Sequence, residues 1–166
     1  MDGKRGKESP MPNPDASSDP YAALRELSHE RFHTLWQLAK TGEPLGEEDT
    51  RTVQAMRDHP EYYDVWEHAN EFLQEQVTVN GVNPFLHVTM HTVVENQAAL
   101  NEPPEVRAVL ENKALRQMPR HQVVHEIANA FTELLWVVLH DHKPFDNNAY
   151  RRKLAKMLPR AKRPTT

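Results

Sequence analysis

Hydrophobic residues along this chain recur mainly three or four positions apart, which is the spacing of an amphipathic helix. The first such stretch begins at Asp19-Pro20, an N-cap followed by a proline suited to the first helical position, and ends before Gly42. Six further helices are predicted, at residues 47–59, 61–76, 83–100, 103–115, 119–140 and 146–158. Alternating hydrophobic and polar residues occur only at 77–82, where Asn80-Gly81 interrupts them. The pattern therefore predicts an all-α protein, a compact helical bundle of about six or seven helices without a sheet.

The composition indicates one soluble domain between two polar ends. The chain has 166 residues, 38% hydrophobic and 27% charged, which is ordinary for a soluble globular protein. Residues 1–18 are predicted to be a disordered arm, residues 19–158 a single helical domain and residues 159–166 a basic tail. No apolar run approaches the roughly 20 residues of a spanning helix, and Met1–Pro10 lacks the apolar core of a secretory signal. Because the chain has no cysteine, disulfides and thiolate metal sites are excluded, and we expect a cytoplasmic protein that does not bind a membrane.

Charge is distributed unevenly along the chain, although the net charge is only -4. The segment Arg151–Arg163 holds seven basic residues and no acidic one. Removing these seven from the 20 basic residues leaves 13 against 24 acidic residues, so residues 1–150 carry about -11. Such a segment is typical of a solvated terminal helix, and it is also the footprint of a contact with nucleic acid or an acidic partner. No aromatic residue lies between the basic ones, so base stacking has no support there.

Histidines four residues apart occur three times, whereas about 0.6 such pairs are expected by chance for ten histidines in this length. The pairs are His29/His33, His87/His91 and His121/His125. Side chains one helical turn apart have Cβ atoms about 6 Å from each other. Two imidazoles at that spacing can therefore bind one ion, because metal–nitrogen bonds are about 2.0–2.1 Å long.

The second and third pairs occupy the first turns of the fourth and sixth predicted helices, each at the border of the apolar stripe where a neighbouring helix packs. If the fifth helix reverses the chain, the fourth and sixth helices are parallel and the two pairs lie at similar height. Bundle proteins build metal sites in this way, from side chains that project inward from facing helices. With a carboxylate completing the shell, the predicted metal ligands are His87, His91, Glu95, His121, His125 and Glu133.

A second reading of the same four histidines needs no metal. They would form a hydrogen-bonded seam between helices, structural or pH-responsive, in a non-catalytic interaction module. Glu95 and Glu133 would then be exposed or salt-bridged carboxylates on their helices. Both readings remain open at the level of the sequence, and so does a homo-oligomeric state.

The remaining histidines have simpler interpretations. We interpret His29 and His33 as a pair at the border with solvent. His59, in the sequence H-P-E-Y, ends a predicted helix, where an imidazolium interacts favourably with the helix dipole. His140 and His142 resemble ordinary residues at the C-terminus of a helix.

The ligand types limit the ion and leave the reaction open. Nitrogen and oxygen donors without sulfur suit zinc, iron, manganese or nickel and do not choose among these divalent transition metals. An open coordination position would support hydrolytic or oxygen chemistry, so whether the protein is an enzyme is uncertain. The sequence lacks H-E-x-x-H, a clustered glycine loop for phosphate and a serine nucleophile elbow, which excludes those common sites.

Several ordered motifs resemble a known family. They are G-E-P-L, H-P-E-Y, N-P-F-L-H-V-T-M-H-T-V-V-E-N-Q, P-P-E-V-R, H-Q-V-V-H, E-L-L-W and the tyrosine at Tyr150. Together they resemble the bacterial family called domain of unknown function 1841, over roughly residues 24–158. The family positions found in this chain are His59, Asn83, Pro84, His87, His91, Glu95, Gln97, His121, His125, Glu133 and Trp136.

The resemblance implies a soluble, helical, mainly bacterial protein with no assigned activity. The chain departs from the family pattern at V-V-L-H-D-H, where a more polar, arginine-containing segment usually follows the tryptophan. It also has a longer N-terminal arm and the basic tail. A role for the tail therefore does not follow from the family.

Overall fold

The structure, a computed structural model, describes residues 22–73 and 75–159. Within these residues the chain forms seven α-helices and no strand. The helices are α1 (Ala22–Thr41), α2 (Glu47–Arg57), α3 (Tyr63–His68), α4 (Pro84–Leu100), α5 (Pro104–Leu115), α6 (Arg120–Asp141) and α7 (Asn147–Lys156). The predicted all-α bundle is confirmed, and the alternating stretch forms only a single bridge between Val79 and Val82. The predicted arm at 1–18, the helix start at Asp19-Pro20 and the tail from residue 160 lie outside the described residues.

Local signals set the ends of the helices that carry the site. The side chain of Asn83 accepts a hydrogen bond from the backbone N–H of Leu86 (3.1 Å), and Pro84 is the first residue of α4. Asp146 caps α7 in the same way, by accepting from the N–H of Ala149 (2.8 Å). Asn101 ends α4 in the left-handed conformation at φ 57°, which asparagine tolerates better than most residues. These starts and ends agree with the sequence prediction.

The third predicted helix was wrong in its length. Instead of one helix to residue 76, the short α3 lies between two 3₁₀ turns, Pro60–Tyr62 and Ala69–Glu71. Phe72 then leaves the helical conformation, at φ -130° and ψ 46°. Its carbonyl accepts a hydrogen bond from the imidazole of His29 on α1 (3.0 Å). A contact with a distant helix thus replaces the local hydrogen bonds that would have continued α3.

The core has two parts joined by α4. The first is built by α1, α2, α3 and the start of α4, with Phe32, Met56, Trp66, Phe85 and Val88 fully or almost fully buried. The second is built by the end of α4 with α5, α6 and α7, and its buried members include Val94, Val109, Ile127, Tyr150 and Leu154. Because the first turns of α4 lie between the two parts, side chains there can face inward from both sides. Among the described residues, no helix has the length and apolar character needed to cross a membrane.

The basic residues of α7 are engaged with the acidic body. Arg151 donates to Glu105 (2.9 Å), Lys153 donates to Glu133 and Arg152 lies near Asp146. These pairs are mostly exposed, and exposed pairs contribute little to stability. They do show that this part of the basic segment already has acidic partners within the chain.

Candidate metal centre

Five imidazoles from three parts of the chain meet beside the first turns of α4 and α6. Ring centroids of neighbouring members lie 4.4–6.0 Å apart. We call this group the histidine cluster; its members are His59, His87, His91, His121 and His125. The structure therefore brings the two predicted pairs together and adds a fifth histidine.

Helix geometry explains how the two predicted pairs converge. Each pair spans one turn and so presents both rings on the same side of its helix. α4 and α6 pack directly against each other, with α5 between them in sequence. His91 is 3% exposed, while His87, His121 and His125 are half-buried. The cluster is thus shielded by both helices without being sealed from solvent.

His59 reaches the cluster because the chain turns at Pro60. Proline disfavours the helical conformation in the residue before it, and His59 adopts φ -122° and ψ 72° just after α2 ends. Its side chain is 2% exposed, and its Nδ1–H donates to the carbonyl of Ala55 in the last turn of α2 (2.7 Å). That bond assigns the proton to Nδ1 and leaves the Nε2 lone pair facing the cluster.

Sequence reasoning missed His59 as a member of the site. The predicted position at a helix end is confirmed, since His59 contacts the last turn of α2, but its opposite nitrogen also faces the other histidines. A ligating histidine usually donates its other ring N–H to a carbonyl or carboxylate. A histidine between a helix end and a proline is well placed for that bond, and this was the signal available in H-P-E-Y.

One pair within the cluster is hydrogen-bonded. The Nε2 atoms of His59 and His87 are 2.9 Å apart. Because the proton of His59 is on Nδ1, His87 is the donor through its own Nε2. A separation of 2.9 Å is also the spacing of two adjacent nitrogen ligands on one ion, about 3 Å for metal–nitrogen bonds of about 2.1 Å at right angles.

Two nitrogens of the cluster have no hydrogen-bond partner. The Nε2 atoms of His91 and His125 are buried and unpaired. Leaving a buried polar atom unpaired costs about 1–3 kcal/mol, so such atoms are rare in folded proteins and call for an explanation. Both atoms lie among imidazole nitrogens that have lone pairs of their own. An electron-pair acceptor, such as a metal ion, would satisfy them together.

The environment favours neutral imidazoles. Burial lowers the pKa of His91 to about 2 and that of His87 to about 4, and the neighbouring histidines add to both shifts. Burial and then His121 also lower the pKa of His125. The carboxylate of Glu61 acts in the opposite direction on the pKa of His87 and His125. Neutral imidazole is the form that binds metals, so the lowered pKa of these three histidines favours a metal ion over a proton.

Four members of the cluster each bring one nitrogen atom near the others, as the ligands of one ion would. In four members, one nitrogen each lies within 4.8 Å of all the others: His59, His91, His121 and His125. Ligands on opposite sides of one ion are about 4.2 Å apart, which is twice a bond of about 2.1 Å. The rings must therefore move closer together for all four nitrogens to bind one ion. His87 lies beside this set through its contact with His59.

The two predicted carboxylates do not share one position. Glu95 is one turn beyond His91, and both of its oxygens accept hydrogen bonds from Arg120 (3.0 and 2.6 Å). To ligate an ion, Glu95 would have to release Arg120. Glu133 is two turns beyond His125, about 12 Å along the helix, and its exposed carboxylate lies beside Lys153. The structure therefore leaves Glu133 outside the cluster and makes Glu95 a bridge between α4 and α6.

A pocket with mostly apolar walls opens on one side of the cluster. Its volume is about 200 Å³. Its apolar lining is Val82, Leu86, Met90 and Ala128. It reaches three members of the cluster, His87, His91 and His125. We call it the apolar pocket.

A second pocket, of about 310 Å³, opens on the other side and is bordered by charged residues. Its charged lining is Arg51, Asp58, Glu95 and Arg120. It reaches His91 and His121. We call it the charged pocket. The cluster thus has two openings, and of these only the charged pocket is lined by charged side chains.

The first histidine pair lies elsewhere and is satisfied separately. The ring of His29 stacks on Phe85 with centroids 3.9 Å apart, and its Nδ1–H donates to the carbonyl of Phe72. The Nδ1–H of His33 donates to the carbonyl of Trp66 (3.2 Å). The interpretation of a solvent-border pair was wrong for His29, which is 2% exposed. The sequence pattern could not reveal this burial because Phe85 is more than fifty residues away along the chain.

Comparison with known proteins agrees with the motifs. Residues 25–156 match the family described as Domain of unknown function (DUF1841). Neither the curated proteins nor the solved structures contain a significant match to the chain. The matched range contains all five members of the histidine cluster, together with Asn83, which caps α4, and Gln97, which accepts a hydrogen bond from the buried Tyr150 (2.8 Å).

Proposed function

The chain belongs to the DUF1841 family, and from its histidine cluster we propose that it is a transition-metal-binding protein. The ion would be held by four nitrogens, with His87 as a neighbouring fifth donor, and the four are His59, His91, His121 and His125. The observation that supports this proposal most strongly is the pair of buried, unpaired Nε2 atoms of His91 and His125. A bound cation would turn two unfavourable groups into ligands.

The orientation of His59 supports the same conclusion. Its Nδ1–H is used by the carbonyl of Ala55, so the tautomer and the ring plane are fixed before any ion arrives. The pair formed by Glu95 and Arg120 holds α4 and α6 together one residue from His121. Metal sites bind tightly when their ligands are already oriented by such outer contacts.

The alternative is a polar seam without a metal, and one observation favours it. The hydrogen bond between His59 and His87 shows that cluster members can satisfy each other. A seam would, however, be expected to pair all of its buried nitrogens, because each unpaired one costs about 1–3 kcal/mol. The unpaired atoms of His91 and His125 therefore favour the metal centre.

Imidazole ligands suit zinc, iron, manganese or nickel. When bound with one position open, such an ion supplies a Lewis acid that can activate water or bind oxygen. Catalysis would require that water or a substrate can reach the open coordination position and exchange there.

The test is elemental analysis of protein purified without a histidine tag. We expect close to one equivalent of a transition metal in the wild type and little in the variant in which His87, His91, His121 and His125 are all replaced by alanine, because the one imidazole left in the cluster chelates weakly. The matched control replaces two exposed histidines outside the cluster, His68→Ala with His140→Ala, and should retain the metal. Wild-type protein that stays metal-free after exposure to zinc, iron, manganese and nickel would contradict the proposal.

A further inference from the structure

The two openings beside the histidine cluster differ in whether their polar groups are free. In the charged pocket, both guanidinium groups are already engaged. Arg120 donates twice to Glu95, and Arg51 donates to Asn96 (3.0 Å) and to Glu47 (3.0 Å). An anionic ligand would have to displace Glu95 from Arg120, and a cationic ligand would meet the two arginines. The charged pocket is therefore a structural network between α2, α4 and α6 more than a vacant recognition site.

The apolar pocket has few polar groups to satisfy. Its lining by Val82, Leu86, Met90 and Ala128 is interrupted mainly by the side-chain amides of Asn83 and Asn129 and the hydroxyl of Thr132. The carbonyl oxygen of Asn83 is already used to cap α4. Two of its apolar side chains are conspicuously exposed, Leu86 at 51% and Val82 at 40%. A ligand with an apolar surface would cover them, and burial of apolar surface favours binding.

The volume of the apolar pocket limits the size of the ligand that it can hold. An apolar cavity of about 150 Å³ is large enough to hold benzene. The apolar pocket has about 200 Å³ and ends at three imidazoles, His87, His91 and His125. Two of these, His91 and His125, carry the unpaired Nε2 atoms. A ligand of benzene size lying in this pocket would have one end beside an ion held by the cluster.

From this arrangement we propose that the metal centre takes a small, mainly apolar molecule with a single donor atom, and that this molecule enters through the apolar pocket. The inference rests on the proposed metal function and specifies its ligand class. The donor atom would bind the ion, while the apolar part would lie against Leu86, Met90 and Ala128. The charged pocket would not attract this ligand, because its two arginines already have polar partners and an apolar surface gains nothing beside them.

The experiment uses the full chain loaded with cobalt, whose visible spectrum reports changes in coordination. Imidazole and 4-phenylimidazole are titrated as probes, because they share the donor nitrogen and differ only in the apolar ring. We expect 4-phenylimidazole to bind the wild type at least about tenfold more tightly, from burial of the phenyl ring. Thr132→Trp, at an exposed position on the rim, fills the apolar pocket and should abolish that preference.

The matched control is Gln54→Trp, an equally large change at an exposed position on the charged pocket, which should leave the preference intact. Asn129→Trp is a second rim variant and should behave like Thr132→Trp. Bound cobalt with equal affinity for the two probes, or a preference removed by Gln54→Trp alone, would overturn the inference while leaving the metal centre in place. Failure of the wild type to bind cobalt, measured separately by elemental analysis, would contradict the proposed function and with it the inference.

Discussion

Two regions of the molecule carry histidines one helical turn apart and use them differently. On α1, His29 and His33 each donate to a backbone carbonyl, and His29 also stacks on Phe85. In the histidine cluster, His91 and His125 are buried without a hydrogen-bond partner for Nε2. The first region stabilises the contact between α1 and α3, whereas the second gathers donor atoms around one point.

The difference shows that spacing alone does not define a metal site. The i, i+4 spacing places two rings on one face of the helix in every case. The two regions differ in the groups of the neighbouring segment that those rings contact. The backbone carbonyls of Phe72, after the second 3₁₀ turn, and of Trp66, within α3, accept the N–H groups of the α1 pair. Facing helices with their own histidines leave lone pairs together in the cluster. A site is recognised by donor atoms that the protein itself does not use.

The largest expected effect contrasts the two regions directly. His91→Ala should weaken binding of the metal by at least about a hundredfold, since loss of an outer contact alone typically costs 10- to 100-fold and a ligand is worth more. His29→Ala, an equally buried histidine, should leave the metal affinity unchanged. Competition with a chromophoric chelator measures both constants. Equal losses in the two variants would mean that the affinity reports general destabilisation.

The second prediction concerns stability without metal. His29→Ala should lower the free energy of unfolding by about 2–3 kcal/mol, because it removes a stacked ring from the core and leaves the carbonyl of Phe72 without its donor. The loss should be the same in chelator and in metal. Urea unfolding under both conditions checks this. A loss seen only with metal would place His29 in the site.

Much of the fold was predictable because helix ends depend on neighbouring residues. Asn83-Pro84, Pro104 and Asp146 each start a helix through contacts within the next few residues. The convergence of the pairs on α4 and α6 followed from helix periodicity and the reversal through α5. The length of α3 did not follow, because it depends on the contact between Phe72 and His29, 43 residues apart.

The candidate site was only partly predictable for a similar reason. His59 joins the cluster through a turn at Pro60 and meets His87, 28 residues away, so no local pattern includes both. Glu95 was expected as a ligand from its spacing, yet its carboxylate pairs with Arg120, 25 residues further along. Sequence spacing shows which face a side chain shares, whereas the partner across the interface depends on how the helices pack.

The third prediction concerns the stability of the metal-free protein as the pH is lowered. Burial depresses the pKa of His91 to about 2 and that of His87 to about 4, below the value of about 6.5 in the unfolded chain. The unfolded state therefore binds more protons, and stability present above pH 6.5 is lost as the pH falls towards those values. We expect a loss of roughly 2–3 kcal/mol between pH 7 and pH 5.5, about half from each histidine, measured by urea unfolding in chelator. In the variant His87→Ala with His91→Ala, the free energy of unfolding should depend less on pH. An unchanged pH dependence would mean that other groups cause it.

The smallest expected effect on metal binding distinguishes the roles of the two predicted carboxylate ligands, Glu95 and Glu133. Glu95→Gln should weaken metal binding by about tenfold, because Arg120 loses its charged partner and α4 and α6 are held less firmly near His121. Its cost in stability should stay within about 1 kcal/mol, since the Arg120 side chain is 58% exposed. Glu133→Gln is the matched control on α6 and should change neither quantity. A thousandfold loss of metal in Glu95→Gln would make Glu95 a ligand instead.

The most direct measurement of the central claim is a thermal melt of the wild type and of the variant His121→Ala with His125→Ala, each with chelator and with added metal. If the cluster binds an ion, metal should raise the wild-type melting temperature, by an amount equivalent to about 4 kcal/mol at a thousandfold excess over the dissociation constant. It should raise that of the variant much less, because the variant has lost two of the four proposed ligands. If the cluster is a polar seam, the variant should melt lower by the equivalent of roughly 1–3 kcal/mol in both conditions. A wild-type melt indifferent to metal and chelator, beside a variant that melts lower in both, would contradict the account.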